Sequence, residues 1–448
     1  MAENARIEAV KILQKLHLSH SYSHIALDNL LRKERFSDAE RALLSRLVYG
    51  VEERRLTLDH MLACCCTRSL ARLHPTVLEI LRVGAYQLLF MDRIPVSAAV
   101  NEAVKATRSL KQGAASGFVN GVLRALDRKK AELWDTLGND IAGLSIRYSC
   151  PRETISLWMD SYGEEHTLDL LKFINETPPT VLRLNSLRTT PAEWRAFALQ
   201  EEITYHTLPS LENSVVIEGG IARRILDKFG DRYYYQDGAS QYCVAALSPQ
   251  IGERLADVCA APGGKSFTAA QEMQNDGYIL CGDIHGEKCD TIIRRAKEFG
   301  ITIVDAVARD ASKECPRPLH GRFDRVICDV PCSGLGVIRR KPEIRYKSLS
   351  EFSELPKLQY QILEQASRMV RPGGVLQYST CTLNPAENEM VVRRFAAEHP
   401  EFTPRILPIT DCFTALGIEP DWYITLFPPV HGTDGFFIAG FTRNEDPQ

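Results

Sequence analysis

The order of patterns along the chain predicts three architectures in succession: an all-helical bundle, a small α+β module, and an open, mainly parallel, doubly wound α/β sheet. Three observations carry this expectation. Residues 1–130 repeat apolar positions at helical spacing and show no strand pattern. Residues 146–235 mix helical stretches with short alternating strands. From residue 236 to 444, strands and helices take turns, the order that builds a parallel sheet. A chain of 448 residues also exceeds what one core usually supports. Residues 131–145 are weakly patterned and read as a linker.

In the head, Ala5, Ala9, Ile12, Leu13 and Leu16 fall on one helical face. Ser37 and Glu40 form a capping box that opens a helix carrying Leu43, Leu44, Leu47 and Val48. Pro75 suits a helix start, with Val77, Ile80, Leu81, Gly84 and Leu88 behind it. Pro95 precedes another helix, Gly113 breaks it, and a last helix follows. These 130 residues hold 21 Lys+Arg against 13 Asp+Glu, a balance of +8 in a chain whose total is −3. A basic head on an otherwise acidic chain suits a polyanionic partner. The run RIPVSAAVNEAVKATRSLKQGAASGFVNGVLRAL resembles the core of the NusB family, which implies an all-helical RNA-binding domain.

In the middle module, Pro151 reads as a helix start followed by Ile155, Leu157, Trp158 and Met159. TPPTVLRLNSL reads as turn then strand, Pro191–Gln200 as helix, and ITYHTLP and SVVIEG as short strands. Tyr233, Tyr234 and Tyr235 close the module; strand packing is favoured over base stacking for them.

In the last domain, strands are expected at LADVCA, YILCGDI, ITIVDAVA, RVICDV and VLQYST, with helices between them. The tail WYITLFPPVHGTDGFFIAGFTR reads as two strands joined by a turn. In open sheets of this kind, ligands bind at the carboxyl ends of the strands. DVCAAPGGKS, DVPCSG and YSTCTLNPAEN all fall at such ends.

The stretch Cys259, Ala260, Ala261, Pro262, Gly263, Gly264 and Lys265 suits close backbone approach to a ligand at a helix N-terminus. Asp283 follows Gly264 by 19 residues, the place of a carboxylate that grips ribose hydroxyls. A phosphate-binding P-loop would need glycine where Cys259 stands, and the G-x-G-x-x-G of dinucleotide folds is absent. An adenosyl ligand without pyrophosphate fits better, and S-adenosylmethionine is the expected cosubstrate. Two cysteines, Cys332 and Cys381, sit in small-residue turns at later strand ends. A thiolate added to carbon 6 of a pyrimidine turns carbon 5 into a nucleophile, and a base must then remove the carbon 5 proton. Asp329 is placed to hold the base edge. Residue chemistry alone leaves the nucleophile open between Cys332 and Cys381.

DVCAAPGGKS, DVPCSGLGVIRRKPEIRY and YSTCTLNPAENE together resemble the RNA 5-methylcytosine methyltransferases. With the NusB-like head, they resemble the RsmB (Sun) family acting on 16S ribosomal RNA. The resemblance implies a Rossmann-like S-adenosylmethionine-dependent methyltransferase domain. It implies that Cys259 to Lys265, Asp283, Asp310 and Asp329 line the cosubstrate site. It further implies Cys381 as nucleophile and Cys332 as the cysteine that assists product release. Beside these, Arg339, Arg340, Lys341 and Arg345 are expected to contact RNA phosphates, and the target base is expected to be unstacked. A transfer RNA substrate, or an RNA-docking adaptor with a vestigial enzyme fold, would be the other readings.

Thirteen cysteines, an odd number without a C-x-x-C pair, argue against a disulfide framework or a metal centre. No apolar run approaches the ~20 residues that span a bilayer, and the charged N-terminus lacks a signal-peptide block. A cytoplasmic monomer with small-subunit ribosomal RNA as partner, no metal and no membrane contact is the expectation.

Overall fold

The computed structural model describes residues 4–19, 36–219, 221, 223–409 and 421–445. The chain divides into two compact units: Met1–Asn175 with Ile338–Ser348, and Glu176–Val337 with Leu349–Gln448.

The first unit is helical, as expected. Its helices run Ala5–Ser19, Asp38–Glu53, Arg55–Ala63, Pro75–Phe90, Val96–Ser109, Ser116–Asp135, Ile141–Tyr148 and Arg152–Phe173. The part of the expected head at 20–35 lies outside the described residues. Ser37 and Glu40 do form the capping box, with Glu40 N donating to Ser37 Oγ and Ser37 N to Glu40 Oε2. Leu13, Leu47, Val51, Leu58, Leu81 and Leu123 share the core.

Two boundaries differ from expectation. Residues 131–145 are not a linker: one helix continues to Asp135 and the next begins at Ile141, capped by Asp140 through Gly143 N. That short helix is tied to the bundle by Thr57 Oγ1, which donates to the Ile146 carbonyl, and by Leu56 N, which donates to Ser149 Oγ. The helix announced by Pro151 also belongs to this unit, bending at Gly163, so the division falls near residue 175 rather than 146.

The second unit contains two sheets. The smaller one joins β1 (Thr180–Leu184), β2 (His206–Leu208), β3 (Leu211–Ile217) and β4 (Tyr233–Tyr235) in the order β2-β3-β1-β4, with antiparallel pairing throughout. Trp194, on the helix Pro191–Gln200, is buried against Leu182, Leu184, Val215 and Phe229. Tyr233 and Tyr234 are core residues, while Tyr235 is 57% exposed.

The larger sheet contains β5 (Arg254–Asp257), β6 (Tyr278–Asp283), β7 (Val304–Ala308), β8 (Phe323–Asp329), β9 (Val370–Thr380), β10 (Phe402–Pro404), β11 (Tyr423–Leu426) and β12 (Phe436–Arg443). Its order is β10-β12-β9-β8-β5-β6-β7, and β11 also pairs with β12. β5 to β9 are parallel; β12 runs antiparallel to β9, β10 and β11. The sheet is therefore mixed at its C-terminal edge. The chain leaves β5 in one direction toward β6 and β7, then returns to place β8 on the other side. That reversal opens a crevice at the carboxyl ends of β5 and β8. The register pairs Asp257 with Ile327 and Asp329 with Ser379, so neighbouring strands end within about two residues of one another.

Candidate active site at the carboxyl ends of the parallel strands

The chain turns sharply after β5. Val258 N donates to the Ile327 carbonyl and Ala260 N to the Gly282 carbonyl, so the turn is laced to both neighbouring strands. The Ala261–Pro262 peptide is cis, and Gly263 has φ +102°. An L side chain is strained at that φ, and a Cβ there would lie 2.5 Å from the Phe267 ring. The helix Gly264–Glu272 starts at once and has no side-chain cap. Its first N–H groups carry the positive end of the helix dipole.

Around this turn the charge is strongly negative. Burial, then Asp257, Asp329, Asp283 and Asp310, hold the Cys259 thiol well above its usual range. Cys259 is therefore a neutral lining residue. Burial, opposed by the Ser266 hydroxyl, pushes Asp257 up to about 6. Asp283, at the end of β6, is nearly buried and accepts from His285 N at 3.0 Å. Asp310, beyond β7, accepts from Ser312 Oγ at 2.6 Å, and that bond and the Ser312 N–H lower its carboxyl. Asp329, at the end of β8, is gripped on both oxygens: Lys265 Nζ reaches Oδ2 at 2.6 Å and Ser379 Oγ donates to Oδ1 at 2.9 Å. Burial is the largest influence on the Lys265 ammonium and would lower it, but the Asp329 charge and hydrogen bond, together with Cys243 and Asp257, outweigh it and raise the ammonium above its ordinary value.

The two candidate cysteines meet. Cys332 follows β8 and Cys381 follows β9, and their sulfurs are 3.1 Å apart. Adjacent parallel strands end together, so two turns separated by 49 residues share one spot. The hydrogen bond to Cys381, then burial, holds the Cys332 thiol well above its usual value. The two sulfurs are close enough to share a hydrogen bond, which either thiol could donate.

Glu387 fastens both turns, and sequence reasoning missed it. Its carboxylate is fully buried and accepts from Ser333 N at 2.9 Å, Ser333 Oγ at 2.5 Å, Gln359 Nε2 at 2.9 Å and Asn384 Nδ2 at 2.9 Å. Its own carbonyl accepts from Tyr378 OH. Gly336 N donates to the Cys381 carbonyl, and a Cβ on Gly336 would stand 2.0 Å from the Gly435 oxygen. The glycine lets the backbones before β12 and after Cys332 touch.

Cys259 to Lys265, Asp283, Asp310, Asp329, Cys332 and Cys381 are thus all brought to the carboxyl end of one sheet. Arg339, Arg340, Lys341 and Arg345 are not: they fold as part of the helical unit. The expectation of phosphate contact is corrected for Arg345. Its side chain is wholly buried, and its guanidinium donates to the carbonyls of Glu53, Tyr148, Ser149 and Ile174 and to Asn175 Oδ1. Arg339 is also buried, lying 3.8 Å over the Phe173 ring. Of the four, Arg340 is half-buried and Lys341 is exposed. Among the described residues, no group of three or more His, Cys, Asp or Glu side chains is arranged to hold a metal ion, and no helix is long and apolar enough to cross a membrane.

Comparison with known proteins matches two stretches of the chain to families. Residues 244–442 match the family described as 16S rRNA methyltransferase RsmB/F, and residues 3–128 match the NusB family. The chain is 33% identical to the probable ribosomal RNA small subunit methyltransferase B of Bacillus subtilis, over 97% of this chain and 98% of that protein. It is 32% identical to the corresponding Synechocystis protein, over 98% and 99%. Its fold resembles the crystal structure of PH0851, with a TM-score of 0.82 at 24% identity over 100% of this chain and 99% of that one.

Proposed function

The chain belongs to the RsmB/F family of ribosomal RNA methyltransferases, and from that premise we propose that it methylates carbon 5 of a cytosine in 16S ribosomal RNA through a covalent cysteine–cytosine adduct. The observation that carries this reading is the pair of thiols 3.1 Å apart beside an acid-rimmed glycine turn. One thiol adds to the ring while its neighbour handles the proton, and a redox or metal-binding pair would need neither the turn nor the rim.

The turn suits S-adenosylmethionine as cosubstrate. Gly263 removes the side chain that would block close approach, the helix N-terminus accepts a carboxylate, and Asp257, Asp283, Asp310 and Asp329 make the surroundings favourable to positive charge. When bound, this cosubstrate supplies an electrophilic methyl carbon on a cationic sulfur. Asp283 is the residue for the ribose hydroxyls.

Cys381, as thiolate, adds to carbon 6 of the cytosine, and the displaced electron pair makes carbon 5 nucleophilic. Carbon 5 takes the methyl group. Cys332, next to Cys381, moves the carbon 5 proton, and the returning electron pair expels the Cys381 thiolate. Lys265 and Ser379 fix Asp329 beside the pair, where it orients the base edge.

The test is a pair of variants. Cys381→Ala is expected to abolish methylation and adduct formation, and Cys332→Ala to accumulate protein–RNA adduct resistant to denaturing electrophoresis. If Cys381→Ala still trapped RNA and Cys332→Ala did not, the two roles would be exchanged. Bisulfite sequencing of ribosomal RNA from cells with and without the gene locates the target; unchanged cytosines throughout 16S RNA would overturn the proposal.

A further inference from the structure

We propose that Gln236 is a further positioning residue of the methyl-donor site, its carboxamide N–H groups holding the carboxylate of the donor's amino-acid end. This rests on the reading of the glycine turn as the S-adenosylmethionine site. Gln236 lies just before the helix Gly238–Leu247, outside the motifs considered so far, and is 8% exposed. Its backbone is pinned by donation to the Val181 carbonyl and by acceptance from Gln241 Nε2. Its side-chain oxygen accepts from Thr268 Oγ1 at 2.8 Å, and Thr268 is itself held by Tyr234 OH at 2.8 Å. That leaves the Gln236 Nε2 group buried without a partner in the protein. Buried amide donors are nearly always paired, so an unpaired one marks a place where an acceptor belongs.

The direction of that group identifies the acceptor. Nε2 lies 3.4 Å from where a Cβ on Gly264 would stand, at the first residue of the uncapped helix Gly264–Glu272. Gly264 leaves that space open. A side-chain donor and a helix N-terminus converge there, and both favour an anion. The rest of the turn is rimmed by carboxylates, which repel one. The site is therefore polarised, with an acidic rim for cationic groups and an amide corner for a carboxylate. A zwitterionic amino-acid end satisfies both.

The experiment uses the full-length protein and two ligands that share the adenosyl thioether. S-adenosylhomocysteine carries the amino-acid end, and methylthioadenosine lacks it. Calorimetric titration of the unaltered protein, Gln236→Leu and Gln236→Glu separates the two contributions. Gln236→Glu retains the shape and the acceptor for Thr268, so it guards against a folding defect in the leucine variant. S-adenosylhomocysteine is expected to bind about ten- to a hundredfold more weakly to Gln236→Leu, the worth of one charge-assisted hydrogen bond. It is expected to bind more weakly still to Gln236→Glu. Methylthioadenosine is expected to bind all three within about twofold. In turnover, KM for the donor rises while kcat is retained, because the contact is the same in the ground and transition states. Equal weakening of both ligands, or of neither, overturns the proposal; so does a change confined to RNA affinity. If the unaltered protein failed to bind S-adenosylhomocysteine, the donor-site reading itself would fall.

Discussion

Glu387 tests whether the two cysteine turns are held together by one buried carboxylate. Ser333, next to Cys332, gives it two hydrogen bonds, and Asn384, three residues after Cys381, gives it a third. Gln359 adds a fourth from the helix Leu355–Ser367. Glu387→Gln keeps the volume but exchanges one acceptor oxygen for an N–H2 group. At least two donors then lose their partner, and the new donors face old ones. At about 1.5–3 kcal/mol for each bond to a charged group, the loss would be about 3–6 kcal/mol. The range observed for breaking buried ionic contacts, about 3–5 kcal/mol, agrees. Urea unfolding of the catalytic unit, followed by a near-ultraviolet signal, measures the shift in midpoint. The same variant should slow single-turnover methyl transfer at saturating donor by about a hundredfold, the effect of an ångström of misplacement at reacting atoms. It also removes one of the charges that hold the Cys332 proton. Stability within ~0.5 kcal/mol of the parent, together with an unchanged single-turnover rate, would refute the argument.

Two further outcomes follow from the helical unit. Arg345→Ala leaves buried carbonyls of Glu53, Ser149 and Ile174 without their donor, and should destabilise that unit by about 3–5 kcal/mol while leaving the salt dependence of RNA binding unchanged; a shallower salt slope at unchanged stability would restore the phosphate-contact role. Burial opposes protonation of His17, but the hydrogen bonds its ring donates to Glu52 and Glu79, together with their charges, outweigh it and raise its pKa to about 9. A raised histidine stabilises fully below the unfolded value near 6.5 and loses that contribution as pH climbs through 9, on the order of 3 kcal/mol. Urea midpoints between pH 6 and 10 should fall in the parent relative to His17→Gln; parallel curves would count against the charged cluster.

The strand ends could be read from the chain because each is a short apolar run stopped by an acid or a cysteine. Asp257, Asp283 and Asp329 stand where those patterns stop, and parallel pairing brings them together without further information. The helix Gly238–Leu247 was missed because QYCVAAL is apolar almost throughout and shows little period; the Asp237 cap on Ala239 N was the available signal. Pro151 marked a helix start correctly, but a start signal does not say which core the helix joins. The basic loop misled for a similar reason. A run of arginines looks the same whether its guanidinium groups meet phosphates or carbonyls, and those of Arg345 lie up to 292 positions away. Glu387 sat in view within NPAEN, yet three of its four incoming bonds start at residues 333 and 359.

The helical unit is completed by Ile338–Ser348, a piece that the ribosome makes long after Asn175. At roughly 5–20 residues per second, the wait is on the order of ten to thirty seconds. During that interval the carbonyls of Glu53, Ser149 and Ile174 have no Arg345 to meet them. The order of synthesis therefore runs against the order of domains: the first part of the protein to emerge is among the last to close. A nascent chain stalled before residue 338 should stay protease-sensitive in its head, and one released after Ser348 should not.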